Sequence, residues 1–509
     1  MKHRVVYAGV VSALLACAVG PAIAADDAAA VLAKHKAYVG WQDGDGTVSS
    51  LRESGAVTLD GRVRSTLTAL HRGALFHRSQ ASSAGRYDDG FTGRVLWTSN
   101  SNGFTVQTVG DPARYVFTRS AVFDERIAGM PASVVRNETI DGTPVTWIRL
   151  QPDLGVPAEV AVAESGAFKR VVLDPGGKYE TRLDVLGYTD VGGGKRVLSS
   201  WRYAGGKAVY AYTSVQANVP VSDAELHPPA QTATWTFDPQ NATVPIELTE
   251  YRILLDATVN GVKGTFILDT GASGIAFTDT FARRAGARRV GGTMIGGIGG
   301  TAEANVYRVD SIAFGANVLH NVDIVTGLDE SRSEEREIAG LIGFDLLAGA
   351  VVEMNLDDKT LRIMDAAKVA PDTSKGYVAR VDLETGTPRI GMTIGGRVPV
   401  LATLDSGNPL HVLFSDELLS RDRVSFFSTP GSLSNVVRYY GVNGSETARC
   451  GRLQSLELGP IVYRPVPACA SPSFSHNDVL VGLDFIKAFN IVFDYPDGYL
   501  LMMPRKNAQ

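Results

Sequence analysis

Phe266-Ile267-Leu268-Asp269-Thr270-Gly271-Ala272-Ser273-Gly274, FILDTGASG, is an apolar run that ends in an acid, a small hydroxyl residue and a glycine. The apolar run reads as a buried strand. Glycine lets the backbone turn sharply behind the acid. Turns favour these residue types anyway, so one such stretch decides little. The chain carries a second, Leu404-Asp405-Ser406-Gly407, and these are its only two D-[ST]-G triplets.

The surroundings of the two triplets repeat. Asn260-Gly261 turns one strand into the next, which ends at Asp269, and Gly395-Gly396 does the same before Asp405. Thr278 and Ser415, both favoured helix N-caps, open TDTFARRAG and SDELLSRD at 9 and 10 positions after their acids. The copies close on GLIGFDLLAGAVVEMNLDDKTLRIM and VLVGLDFIKAFNIVFDYPDGYLLMM, with 12 positions from Gly343 to Asn355 and 12 from Gly482 to Asp494. The turns Asp357-Asp358-Lys359 and Pro496-Asp497-Gly498 follow. The acids lie 136 positions apart and the two glycines 139. This position-matched agreement predicts two homologous β lobes, residues 245–367 and 376–504.

Two acids at equivalent points of a repeat suit a shared-proton dyad. Carboxylates held close cannot both ionise comfortably, so they share one proton. The ionised partner takes a proton from water, and the protonated one polarises a scissile carbonyl. Thr270 and Ser406 are expected to hydrogen-bond across the lobe interface, and Gly271 and Gly407 to let nearby N–H groups face the acids.

At these residues the chain resembles the pepsin and retropepsin families of aspartic peptidases, through LDTGAS and GLIGFDLL in particular. The resemblance covers about half of the chain. It implies a mainly β, two-lobed barrel unit with a cleft between the lobes and Asp269 and Asp405 as catalytic residues. Both lobes lie in one chain, so a retroviral-style dimer is not needed and a monomer is expected. In this family the interval between the first acid and Gly343 holds a flap over the cleft. Here it contains Gly296, Gly297, Gly299 and Gly300 within GGTMIGGIGG, and glycine supplies the mobility a lid needs. A surface loop is the plainer reading of that run. Gly297-x-Gly299-x-x-Ala302 fits a dinucleotide fingerprint loosely, without the surrounding βαβ context. Two departures stand out: Asn408-Pro409 follows the second triplet where the family has Ala, Ser or Thr, and the flap interval lacks the tyrosine of pepsins, Tyr307 lying too far on.

Residues 25–230 read differently. AAAVLAKHKAYVG has helical spacing and stops at Gly40. Short alternating runs follow, among them GRVLWTS, GFTVQTV, ARYVFTR, TPVTWIRLQ and KRVLSSWRYA, separated by Gly, Asp, Asn or Pro. One helix and a long antiparallel meander are expected. This order resembles the open half-barrel of periplasmic lipoprotein-carrier domains, which implies lipid or lipoprotein contact. Trp97, Trp147 and Trp201 are expected in its core. His227-Pro228-Pro229 marks the approach to a linker, 231–244.

The first residues, MKHRVVYAGVVSALLACAVGPAIAADD, have a basic start, an apolar run and a small-x-small site ending at Ala24, the pattern of a cleaved export signal over 1–24. Leu14-Leu15-Ala16-Cys17 is the alternative, a lipoprotein site anchored at Cys17. No later segment is long and apolar enough to span a bilayer. Loss of 1–24 leaves 47 basic against 54 acidic residues, which argues against nucleic acid as a partner. Cys450 and Cys469 then remain as the pair for one disulfide in an oxidising compartment. No H-E-x-x-H and no G-x-S-x-G occurs, and the histidines are scattered, so no metal ligand set and no cofactor is read. Asp43-Gly44-Asp45 reads as a turn. The expectation is an exported, periplasmic or secreted aspartic endopeptidase acting on peptide or protein substrates. The alternative is a catalytically silent peptide- or lipid-binding protein on the same fold.

Overall fold

The computed structural model describes residues 25–506, apart from 84, 178, 298–299, 328–335, 384–385, 410–411, 417, 419–435, 442–443 and 473–478. The signal-like segment 1–24 with Cys17, and Gly299 of the glycine run, lie outside the described residues.

Alternation of buried and exposed side chains along short strands makes the fold mainly β. After helix α1 (Ala25–Val39), two antiparallel meanders, residues 51–107 and 132–217, merge into one 13-stranded sheet. They join where Leu51–Leu59 pairs with Val209–Ala217, Val57 opposite Tyr210. Trp97 and Trp147 are buried in this region, as their apolar surroundings require. Asp45 accepts from the backbone N–H groups of Gln42 and Thr47, which makes 43–45 a turn.

One run departs from the expectation. ARYVFTR is not a strand: it lies inside helix α2 (Gly110–Phe123), which crosses between the two meanders. Gly110-Asp111-Pro112 is a helix start, with an acid and a proline in the first turn. Pro112, Ala113, Val116 and Ser120 then share a buried face at helical spacing. Ala113 and Val116 pack on Phe76 and Leu96 of the first meander, and Val122 packs with Ile148, Leu150 and Trp201 of the second.

The two halves that follow are built alike. Val262–Leu268 delivers Asp269 and pairs in parallel with Gly340–Ile342; Val398–Leu404 delivers Asp405 and pairs in parallel with Val479–Val481. In each half a further short strand, Ile275–Phe277 or Val412–Ser415, runs antiparallel to the same partner. Thr278 caps the helix Asp279–Arg284, its hydroxyl accepting from the Phe281 N–H at 3.2 Å, and Ser415 accepts from the Leu418 N–H at the same distance. The halves are stitched by Val351–Asn355 pairing with Phe489–Asp494, so their cores are continuous. Burial of Phe266, Phe277, Phe281, Phe414 and Phe485 contributes about 1.5–3 kcal/mol each.

The stretch expected as a linker is partly sheet. Thr234–Thr236 pairs with Asn317–Val325 of the first half. Phe104 and Val106 of the N-terminal sheet are buried in the same core as Ala233 and Val309. The N-terminal region is therefore packed onto the first half rather than tethered to it. Cys450 and Cys469 face each other across Gly444–Leu453 and Val466–Ser471 and form a disulfide. Among the described residues no helix is long and apolar enough to cross a membrane.

Candidate functional site

Two acids lie at the ends of their strands, and four hydrogen bonds hold them in register. The Thr270 N–H donates to Ser406 Oγ at 3.0 Å, and the Ser406 N–H donates to Thr270 Oγ1 at 3.0 Å. Each hydroxyl then donates across the interface, Thr270 to the Leu404 carbonyl and Ser406 to the Leu268 carbonyl, both at 2.7 Å. Thr270 and Ser406 are buried, so these groups have no water to turn to.

The lock brings the carboxyls of Asp269 and Asp405 within hydrogen-bonding reach of each other. Each also accepts from its own turn: Asp269 from the Gly271 N–H at 2.9 Å, Asp405 from the Gly407 N–H at 2.9 Å and the Asn408 N–H at 3.2 Å. The glycines are required here. A Cβ on Gly271 would overlap the carboxyl of Asp405, and one on Gly407 the carboxyl of Asp269. Only a residue without a side chain lets the opposite acid approach so closely.

Electrostatics follows from the enclosure. Burial raises both acids above the ordinary carboxylate range. Asp405 is raised well above it, because the charge of Asp269 adds to burial. The cation of Arg252, whose Nη1 donates to the Gly407 carbonyl at 3.2 Å, lowers Asp269 in opposition. Two carboxyls so placed can share one proton, leaving the other oxygens basic. Arg252 was not legible in the sequence, because an arginine 17 positions before a triplet carries no local signature.

Asn408 occupies the place of Ala272. Both residues donate their N–H to the carbonyl of their acid at 3.2 Å, and both carbonyls accept from the closing glycine loop, from Phe344 and Leu483 at 3.0 and 2.8 Å. The backbone of the second turn is unchanged by the larger residue.

Above the acids opens a cavity of about 1260 Å³. Thr293, Ile295 and Gly296 line it from a hairpin in which Arg288–Gly297 pairs with Gly300–Phe314, Gly297 opposite Gly300. The glycine run expected as a flap is thus the end of a hairpin over the acids, although its tip is not described. Tyr307 lies farther along that hairpin, against the core. Glu446 lines the cavity from the corresponding hairpin of the second half.

The remaining wall comes from the N-terminal sheet and α2, among them Tyr87, Asn100, Tyr115, Arg119, Trp201 and Tyr203. Asn100 Nδ2 donates to Asp345 at 2.7 Å, and the Asn102 amide pairs with the backbone of Asp323, accepting at 2.8 Å and donating at 3.0 Å. Burial pushes Asp345 up to about 6 despite these amide donors and the Ile275 N–H. Sequence reading missed Asn100, Asn102 and Asp345 as a group, since no spacing connects residues so far apart. Among the described residues no cluster of three or more His, Cys, Asp or Glu is arranged to hold a metal ion.

Comparison with known families gives two matches to the family described as Aspartyl protease, over residues 255–346 and 390–485. Each match contains one of the D-[ST]-G turns, and together they support an aspartic protease-like family for this part of the chain. No curated protein matches the sequence.

Proposed function

We propose that this chain is an aspartic-type endopeptidase in which Asp269 and Asp405 activate water against a peptide bond. The observation that carries the proposal is the reciprocal Thr270–Ser406 lock, which holds two carboxyls together at the floor of a cavity large enough for a polypeptide segment. The ionised carboxylate removes a proton from water as the water oxygen bonds to the scissile carbonyl carbon. The protonated carboxyl passes its proton to the carbonyl oxygen. The tetrahedral centre then collapses: the carboxylate now ionised takes the proton of one of the centre's hydroxyls, the C–N bond breaks, and the other carboxyl gives its proton to the leaving nitrogen. The dyad returns with one proton, so the cycle balances. Aspartic proteases are a worked example of two carboxylates sharing a proton.

The hairpin ending at Gly296, Gly297 and Gly300 serves as the lid, and export to an oxidising compartment fits the Cys450–Cys469 disulfide. The test is hydrolysis of a mixed peptide library from pH 3 to 7 by the mature chain beside Asp269→Asn and Asp405→Asn. Cleavage lost in both variants, with the fold retained, supports the proposal. Cleavage unchanged in Asp269→Asn overturns it. N-terminal sequencing of the secreted chain tests export: a start at Ala25 is expected, and an unprocessed Met1 would remove the signal assignment.

A further inference from the structure

The dyad cavity has a second wall whose chemistry the hydrolytic step does not use. Along one side run aromatic rings in contact: Phe123 edge-on to Trp201 at 5.2 Å, Trp201 stacked on Tyr210 at 5.6 Å, and Tyr210 edge-on to Tyr203 at 5.5 Å. Tyr203 and Tyr87, which line the cavity, are 43% and 57% exposed. Large aromatics left open inside a concave site are binding surfaces more often than packing. Trp201 is buried, yet its indole N–H has no hydrogen-bond partner among the described residues.

The charges on this wall are satisfied with one exception. Arg78 is held by Asp89, and Asp88 by His77 and Arg86. Arg119, on α2, makes no ion pair among the described residues; its guanidinium sits 5.6 Å from the Phe123 ring centre, and its charge opposes the effect of burial on the hydroxyls of Tyr115, Tyr210 and Tyr212. A guanidinium beside aromatic faces is a site for a carboxylate carried next to a flat ring.

We propose that the N-terminal region supplies a substrate subsite, in which Arg119 and the Trp201–Tyr210–Tyr203 ladder take an acidic residue next to an aromatic one in the polypeptide being cut. The inference rests on the peptidase reading for its substrate. The cavity exceeds the roughly 300–1,000 Å³ usual for a small-molecule site, so it suits a chain segment that reaches from the dyad to this wall. The docking of Asn100 and Asn102 on Asp345 and Asp323 fixes the wall against the catalytic half. The N-terminal region then acts in specificity, which accounts for its presence in the same cavity as the acids.

The test uses the full mature chain. Cleavage-site profiling on a synthetic peptide library is expected to show acidic and aromatic residues enriched together at fixed positions from the cut bond. Peptide pairs that carry Tyr-Asp or Tyr-Asn at those positions are then compared by kcat/KM. Arg119→Gln is expected to reduce the Asp-over-Asn preference about tenfold or more, as loss of a charged hydrogen bond does, and Arg119→Lys to restore much of it. Tyr203→Ala, at an exposed position that leaves the core intact, is expected to reduce the preference for Tyr over Ala. Preferences equal to those of the native chain in both Arg119→Gln and Tyr203→Ala overturn the proposal. If the native chain cuts nothing, the same fluorescein-labelled peptides are bound to it and followed by anisotropy. Discrimination lost in Arg119→Gln then supports the subsite while the peptidase reading falls; equal binding by native and variant chains overturns the subsite as well.

Discussion

The backbone N–H of Thr270 donates to the hydroxyl of Ser406, and the backbone N–H of Ser406 donates to the hydroxyl of Thr270, both at 3.0 Å. Two residues 136 positions apart thus satisfy each other in a site closed to water. The relationship fixes the separation of the acids that precede them. It also explains why the hydroxyl types are small: each must accept from one backbone group and donate to another within one turn.

Thr270→Val removes an acceptor and a donor while keeping the shape. It leaves the Ser406 N–H and the Leu404 carbonyl buried without their partner. A loss of about 2–5 kcal/mol in unfolding free energy is expected, with Thr270→Ser close to the native value. Urea denaturation of the three chains checks this, and equal midpoints for Val and Thr would contradict the lock.

The dyad predicts a bell-shaped pH profile of kcat/KM. Activity requires one proton on the pair, so the acid limb reports the first deprotonation and the alkaline limb the second. Arg252 lowers Asp269 by its charge. Arg252→Gln is therefore expected to move the acid limb to higher pH. A profile that does not move, in a folded variant, would show that Arg252 does not act on the dyad.

Asp345 gives a stability prediction with a definite sign. Its folded-state pKa is about 6, above the ordinary value of 3.8, because burial disfavours its charge. The folded state therefore binds the proton more tightly than the unfolded state, and stability falls as pH rises from about 4 to about 6. The difference of roughly two units corresponds to about 3 kcal/mol. Asp345→Asn cannot ionise. Its stability relative to the native chain should improve by about 2–3 kcal/mol between pH 4 and pH 7, read from urea midpoints at the two values.

The disulfide closes a loop between residues 19 positions apart. On the chain-entropy account this constrains the unfolded state by about 3 kcal/mol. Cys450→Ala with Cys469→Ala should lower the urea midpoint accordingly, and reductant should lower the native midpoint but not that of the double variant.

The sequence by itself determined the parts whose physics is local. The Asn260-Gly261 and Gly395-Gly396 turns need left-handed backbone, and Thr278 and Ser415 cap at their own positions. The strands before Asp269 and Asp405 are plain in their apolar runs, and the triplets announce a sharp turn behind an acid. What only the tertiary structure decided depends on partners far along the chain. ARYVFTR has an alternating look, yet it folds as helix because Ala113 and Val116 meet Phe76 and Leu96 on one face. The bond from Asn100 to Asp345 spans 245 positions, so no window of sequence contains both. The same holds for the wall of Arg119, Trp201 and Tyr203, which shares a cavity with the acids only after the N-terminal sheet has packed on the first half. Turns and caps are set by the dihedrals and hydrogen bonds of a few neighbours, whereas a cavity between packed units is set by which surfaces bury one another.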